Sequence, residues 1–153
     1  VNISKIHDFI VHVVNAIKVP GHIPRIQDPE LSLFKRTRLE LIARDKCCWI
    51  CGTTEGLEAH HSPIEWQLTN MIDWGIGANI RQDFPTFNWA SFDTSNPYAF
   101  VDNMLFNGKL LCKIHHIGKN EGIHSLLHSF WIAQRYAKEG YQFSDIEIIH
   151  HQL

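Results

Sequence analysis

Apolar side chains recur at Ile3, Ile6, Phe9, Ile10, Val13, Val14 and Ile17, the three-and-four spacing of an amphipathic helix, so residues 3–17 are predicted helical. Val19-Pro20-Gly21 ends that helix, and Pro24 and Pro29 keep the next stretch turn-rich. A second helical pattern runs from Leu31 to Asp45 through Leu33, Phe34, Leu41 and Ile42. Leu57-Glu58-Ala59-His60-His61 reads as a short strand stopped by Ser62-Pro63. Residues 64–106 follow no helical or strand period; with Gly75, Gly77, Pro85 and Pro97 they are loop-like, with one short helix near Glu65 to Trp74. Leu110-Leu111 is a short strand feeding a helix that begins near Cys112 and is interrupted by Gly118 and Gly122. The helical pattern resumes from Ile123 to Lys138 and stops at Gly140. Ser144-Asp145-Ile146-Glu147 fits a capping box, which predicts a last helix over residues 145–151.

So many helical runs and so little strand predict an α+β chain, mostly helical. At 153 residues it is long enough for one domain with a modest core. A hydrophobic fraction of 44% with 20% charged residues is that of a soluble globular chain, and no apolar run approaches the ~18 residues of a membrane span. The segment starting at Val1 shows no signal-peptide pattern.

The cysteines change the picture. Cys48-Trp49-Ile50-Cys51 and Cys112-Lys113-Ile114-His115 are two pairs of soft ligands with two residues between the members of each. That is the spacing of a tetrahedral structural zinc site. Disulfides are the other use of four cysteines, but adjacent Cys47 and Cys48 and the tight pairs suit metal binding in a reducing cytosol. Cys47 rivals Cys48 as first ligand, although three residues between Cys47 and Cys51 fit a zinc knuckle less well. Gly52 supplies the turn after the second ligand. Knuckle, hairpin, then a helix opening on the second pair is a treble-clef arrangement, and zinc would hold its hairpin to its helix. The fold expected is α+β, mostly helical, with this small zinc-stapled ββα-metal (treble-clef) motif.

Eleven histidines exceed what that zinc can use. His60-His61 lies between the two ligand pairs, and His116 and His124 follow the second. His7, His12 and His22 are surface or capping residues on this reading, and His150-His151 a solvated tail. The net charge of −2 speaks against a nucleic-acid protein. It is unevenly spread, however: residues 1–46 hold eight Lys/Arg against five Asp/Glu. Lys35, Arg36 and Arg38 are either a grip for phosphates or a solvated helix face. The aromatics Trp66, Trp74, Phe84, Phe87, Trp89, Phe92, Tyr98 and Phe100 form either a satellite core or, less simply, a surface on which bases stack.

From Cys48 to Gly140 the chain resembles the phage-type HNH endonucleases of the ββα-metal superfamily. The likeness rests on Cys48 to Cys51, on Glu58-Ala59-His60-His61, on Asn107, and on Leu111-Cys112-Lys113-Ile114-His115-His116, with the tail at residues 123–141. It implies a nuclease core at 47–140, in which the aromatic insertion 62–106 departs from the family pattern; the helical segment at 1–46 and the short helix or tail at 141–153 are read from the hydrophobic pattern and lie outside the likeness. The likeness implies hydrolysis of DNA, with RNA as the other substrate, in a bacterial or phage-infected cytosol, while the lack of a long apolar run implies no membrane partner. His61 would be the general base, an imidazole suited to taking a proton near neutrality. His60 would bind the catalytic ion, Mg2+ or Mn2+, and Asn107 would hold the loop carrying His61. Cys48, Cys51, Cys112 and His115 would hold the structural Zn2+. The second histidine of the catalytic ion is His124 in preference to His116, because His124 leads into the Leu126 to Tyr136 pattern. In an unbroken helix the eight positions between them would put the two about 80° and about 12 Å apart. The two therefore share an ion only if Gly118 to Gly122 breaks the helix. The alternative to an enzyme is a non-catalytic zinc-binding adaptor for nucleic acid or protein.

Overall fold

The computed structural model describes residues 32–152, with side chains as far as Ile148. The helix expected over 3–17, with His7, His12 and His22, lies outside the described residues, as do the side chains of His150 and His151. Within them the chain is α+β: a set of mostly short helices and a two-stranded sheet of β1 (Leu57–His61) and β2 (Gly108–Cys112). The helices are α1 (Leu33–Asp45), α2 (Asn79–Asp83), α3 (Tyr98–Val101), α4 (Met104–Asn107), α5 (Lys113–Ile117), α6 (His128–Ala133) and α7 (Asp145–Gln152), with single 3-10 turns at Trp66–Met71, Trp89–Ser91 and Gln134–Tyr136. No helix is long and apolar enough to cross a membrane among these residues. The chain divides into two compact units, one of residues 45–60 with 110–152 and the other of residues 32–44 with 61–109.

The first unit has a core of Cys48, Ile50, Leu111, Cys112, Leu126, Trp131 and Ile148. Its knuckle is made by backbone bonds. Cys48 N–H donates to Thr53 O at 2.8 Å and Gly52 N–H donates to Cys48 O at 2.9 Å. Gly52 sits at φ +74°, where a side chain would strain the turn. Trp49 N–H donates to Leu110 O and Lys113 N–H to Gly56 O, which ties the knuckle to β2 and the start of α5. Arg135 lies over the Trp49 ring and donates to its carbonyl, and Trp49 stacks on Trp131. The capping box closes as expected: Ser144 N–H donates to Glu147 Oε2 at 2.8 Å, and Glu147 N–H donates to Ser144 Oγ at 3.2 Å.

The helix expected over 123–138 is shorter than its apolar pattern suggests. Residues 118–127 are turn, and regular helix covers only His128–Ala133 before one 3-10 turn. The cause lies at Gly122, where a Cβ would stand 2.7 Å from Gly118 N and O and 2.9 Å from His116 O. Only glycine lets the chain pass so close to itself, and the pass returns it onto α5: Ile123 N–H donates to His115 O at 3.0 Å.

The second unit has the aromatic insertion as its core. Trp74, Ala78, Ile80, Tyr98, Phe100 and Val101 are buried, with Trp66, Phe84, Phe87, Trp89, Phe92 and Phe106 packed against them. Phe100 alone meets the rings of Trp74, Phe84, Phe87 and Trp89 at centroid distances of 5.1–5.8 Å. The rings face one another, so they form a satellite core, not an exposed stacking platform. In α1, Thr37 and Leu41 form the buried stripe one turn apart, while Lys35, Arg36 and Arg38 are exposed.

Candidate metal centres

Two clusters of ligand atoms gather in the first unit. In one, Cys48, Cys51, Cys112 and His115 present atoms all within 4.8 Å of one another. The knuckle supplies the first two, the last residue of β2 supplies Cys112, and the first turn of α5 supplies His115. Cys47, the rival to Cys48, is outside this cluster. Zinc at ~2.3 Å from sulfur and ~2.0 Å from nitrogen, bound tetrahedrally, sets edges of about 3.8 Å between sulfurs and about 3.5 Å between sulfur and nitrogen. The observed edges are 3.9 Å for Cys51 Sγ to Cys112 Sγ, 3.8 Å for Cys48 Sγ to His115 Nδ1 and 3.2 Å for Cys112 Sγ to His115 Nδ1. The cluster fits a metal ion such as zinc.

Its electrostatics fit as well. Burial pushes the Cys48 thiol up, but hydrogen bonds from His115 and from the backbone at Cys112, Cys51 and Ile50 outweigh it and bring the thiol down to about 6. The Cys51 thiol is pushed up to about 11, by burial first and then by the negative charge of Cys48 and Cys112, against a backbone hydrogen bond at Thr53. Three sulfurs so close therefore repel one another as thiolates, and a dication is what lets all three ionise together. Trp131 Nε1–H donates to His115 O at 2.9 Å and holds the α5 end of the cluster.

The second cluster joins His60, His116 and His124, whose ligand nitrogens also lie within 4.8 Å. The three rings form a nearly equilateral triangle, with centroid separations of 5.1, 4.9 and 5.0 Å. His60 comes from β1 and is 4% exposed; His116 comes from α5 and His124 from the turn behind it. The sequence ranked His124 above His116, whereas the structure brings both to His60. The helix stops at Ile117, and the return at Gly122 sets His124 Nε2 3.2 Å from His116 Nε2. That is close to the ~3.3 Å edge between two nitrogens on one tetrahedral ion. The loop making the return is tied down, with Lys119 Nζ and Asn120 Nδ2 both donating to the Asp145 carboxylate and Gln134 Nε2 to Glu121 O.

Glu58, unassigned from sequence, belongs to this cluster. Its Oε2 lies 2.5 Å from His116 Nδ1. A carboxylate only accepts, so the ring proton sits on Nδ1 and Nε2 keeps its lone pair for an ion. The signal was available: Glu58 and His60 are two apart in a strand and so share a face.

His61 and Asn107 fall in the second unit. Asn107 is fully buried; its Oδ1 accepts from Ile64 N–H, and its Nδ2 donates to Ile64 O and Val101 O, all at 2.8–2.9 Å. It therefore grips the loop that follows His61 and not the ring. The ring is held by Asp102, whose Oδ1 is 3.1 Å from His61 Nε2, and by Phe34 of α1, stacked on it at 5.3 Å. Neither was singled out in the sequence, since Asp102 is 41 residues away with no motif around it. No protein-family model, curated protein or solved structure matches this chain.

Proposed function

We propose that the protein is a metal-dependent endonuclease of the HNH type that hydrolyses DNA phosphodiester bonds, with a treble clef stapled by zinc at Cys48, Cys51, Cys112 and His115. One observation carries the reading. Three histidines from strand, helix and turn converge through their nitrogens, and they are separate from a complete Cys3His set. A protein that needed zinc only as a staple has no use for the second cluster.

A divalent ion held by His60, His116 and His124 would stabilise the charge that builds on the phosphate and the leaving 3′ oxygen. Three imidazoles suit zinc, cobalt or nickel, whereas Mg2+ and Mn2+ prefer oxygen donors, so the ions first expected rank below these. His61 takes the proton of the attacking water, Asn107 fixes the loop that follows it, and Lys35, Arg36 and Arg38 of α1 hold the DNA backbone. The products are 5′-phosphate and 3′-hydroxyl ends.

The test is cleavage of supercoiled plasmid by zinc-loaded protein with added Zn2+, Co2+, Ni2+, Mn2+ or Mg2+, with chelator controls and a parallel single-stranded RNA substrate. His61→Ala is expected to lower the rate ~10²–10⁴-fold with zinc content unchanged. If no ion supports cleavage of either nucleic acid by folded wild-type protein, the enzyme reading fails. The adaptor reading, which the net charge of −2 does not oppose when the partner is a protein, then takes its place.

A further inference from the structure

His61 is held from more sides than a strand-end imidazole requires. Its ring is 16% exposed, lies under Phe34 at an interplanar angle of 21°, and meets an Asp102 carboxylate that is itself only 8% exposed. Asp102 is fixed in turn. Thr37 Oγ1 accepts from Met104 N–H at 3.0 Å and shares its one proton between Leu33 O at 2.8 Å and Asp102 O at 3.0 Å, so α1 holds the backbone that leaves the acid. Asn107 Nδ2 holds Val101 O, immediately before Asp102, while the rest of that amide holds Ile64, three residues beyond His61. Ser62 N–H donates to Asn107 O at 3.1 Å. One buried asparagine therefore ties the chain leaving His61 to the chain entering Asp102.

We propose that Asp102 is a positioning residue for His61, fixing the tautomer that makes Nδ1 the basic atom. The carboxylate accepts the Nε2–H and leaves the Nδ1 lone pair to receive a proton. The proposal rests on the nuclease reading above. In the step it serves, a water O–H bond breaks and its proton passes to Nδ1. The water oxygen bonds to phosphorus, and the P–O3′ bond breaks with its electron pair on the 3′ oxygen, which takes a proton from solvent. His61 becomes an imidazolium whose Nε2–H still donates to the Asp102 carboxylate, so the ring keeps its orientation through the transfer. The competing account is a buried pair that only stabilises the second unit.

A double-mutant cycle with a tautomer measurement separates the two. Asp102→Ala is expected to lower kcat on plasmid ~10²-fold, within the range a general base supplies, with KM for DNA within about twofold. In the His61→Ala background the same change is expected to cost nothing further, because the two residues act as one unit. A purely stabilising contact would leave kcat of the folded fraction unchanged, and an effect that persists undiminished without His61 would overturn the proposal. If Asp102→Ala does not fold, Asp102→Asn takes its place in the same cycle. Nitrogen-15 spectra of the neutral His61 ring in native protein are expected to show Nε2–H, and an Nδ1–H ring would overturn the proposal. Wild-type protein that cleaves nothing with any ion defeats the nuclease reading and the catalytic role with it. The nitrogen spectrum still separates that failure from a failure of Asp102 to hold the ring.

Discussion

Glu58→Ala is expected to weaken metal binding at the three-histidine centre about tenfold while leaving the Cys3His zinc in place. In the native protein the Glu58 carboxylate, 2.5 Å from His116 Nδ1, keeps the ring proton on that nitrogen and Nε2 unprotonated. Without it, the ring is free to turn and to place its proton on the nitrogen that must bind. Loss of such a partner typically costs ~10–100-fold in metal affinity. The Glu58 side chain is 41% exposed, so water takes over part of its work and the low end applies, a change of about 1.4 kcal/mol. Glu58→Gln keeps an acceptor without the charge and is expected to lose less, about threefold. The assay loads the staple with zinc and then titrates Co2+ while following its visible absorption. Glu55→Ala, which removes an exposed acid from the same unit, controls for net charge. An affinity within twofold of wild type in Glu58→Ala, or an equal loss in Glu55→Ala, would refute the argument.

The purified protein is expected to carry about one tightly held zinc per chain by elemental analysis, and Cys112→Ser to lose it and unfold, since such sites contribute ~10 kcal/mol to folding. The staple's affinity should fall with acidity and fall more steeply below pH ~6, where metal-free Cys48 regains its proton and binding must displace that proton as well as the one on Cys51. Gly122→Ala inserts a Cβ 2.7 Å from Gly118 backbone atoms, so it is expected to displace His124 and abolish tight Co2+ binding at the second centre. Retained zinc would show that the effect is local, and unchanged Co2+ affinity would show that the turn can give.

What could be read in the sequence and what could not separate by how far a contact reaches along the chain. The members of the Cys3His cluster announce themselves because each pair is close in sequence, and the knuckle's bonds from Cys48 to Thr53 close within six residues. Helix α1, strand β1 and the capping box of α7 were legible for the same reason. The break at Gly118 and Gly122 was legible too, but the turn that continues through residues 123–127 was not, because a helical hydrophobic pattern does not reveal that Gly122 packs against Gly118 and His116. That one close approach removes the 80° offset that separates His116 from His124 on an ideal helix, and so decides whether there is a three-histidine centre at all. Carboxylate partners are harder again. Glu58 could have been inferred from strand alternation once His60 was taken as a ligand. Asp102 could not, since what makes it a partner of His61 is the clamp formed by Thr37 and Asn107, residues 65 positions before and five after it. If the nuclease reading holds, the groups that do the chemistry are written in short motifs. The groups that aim them come from packing between residues far apart in the chain.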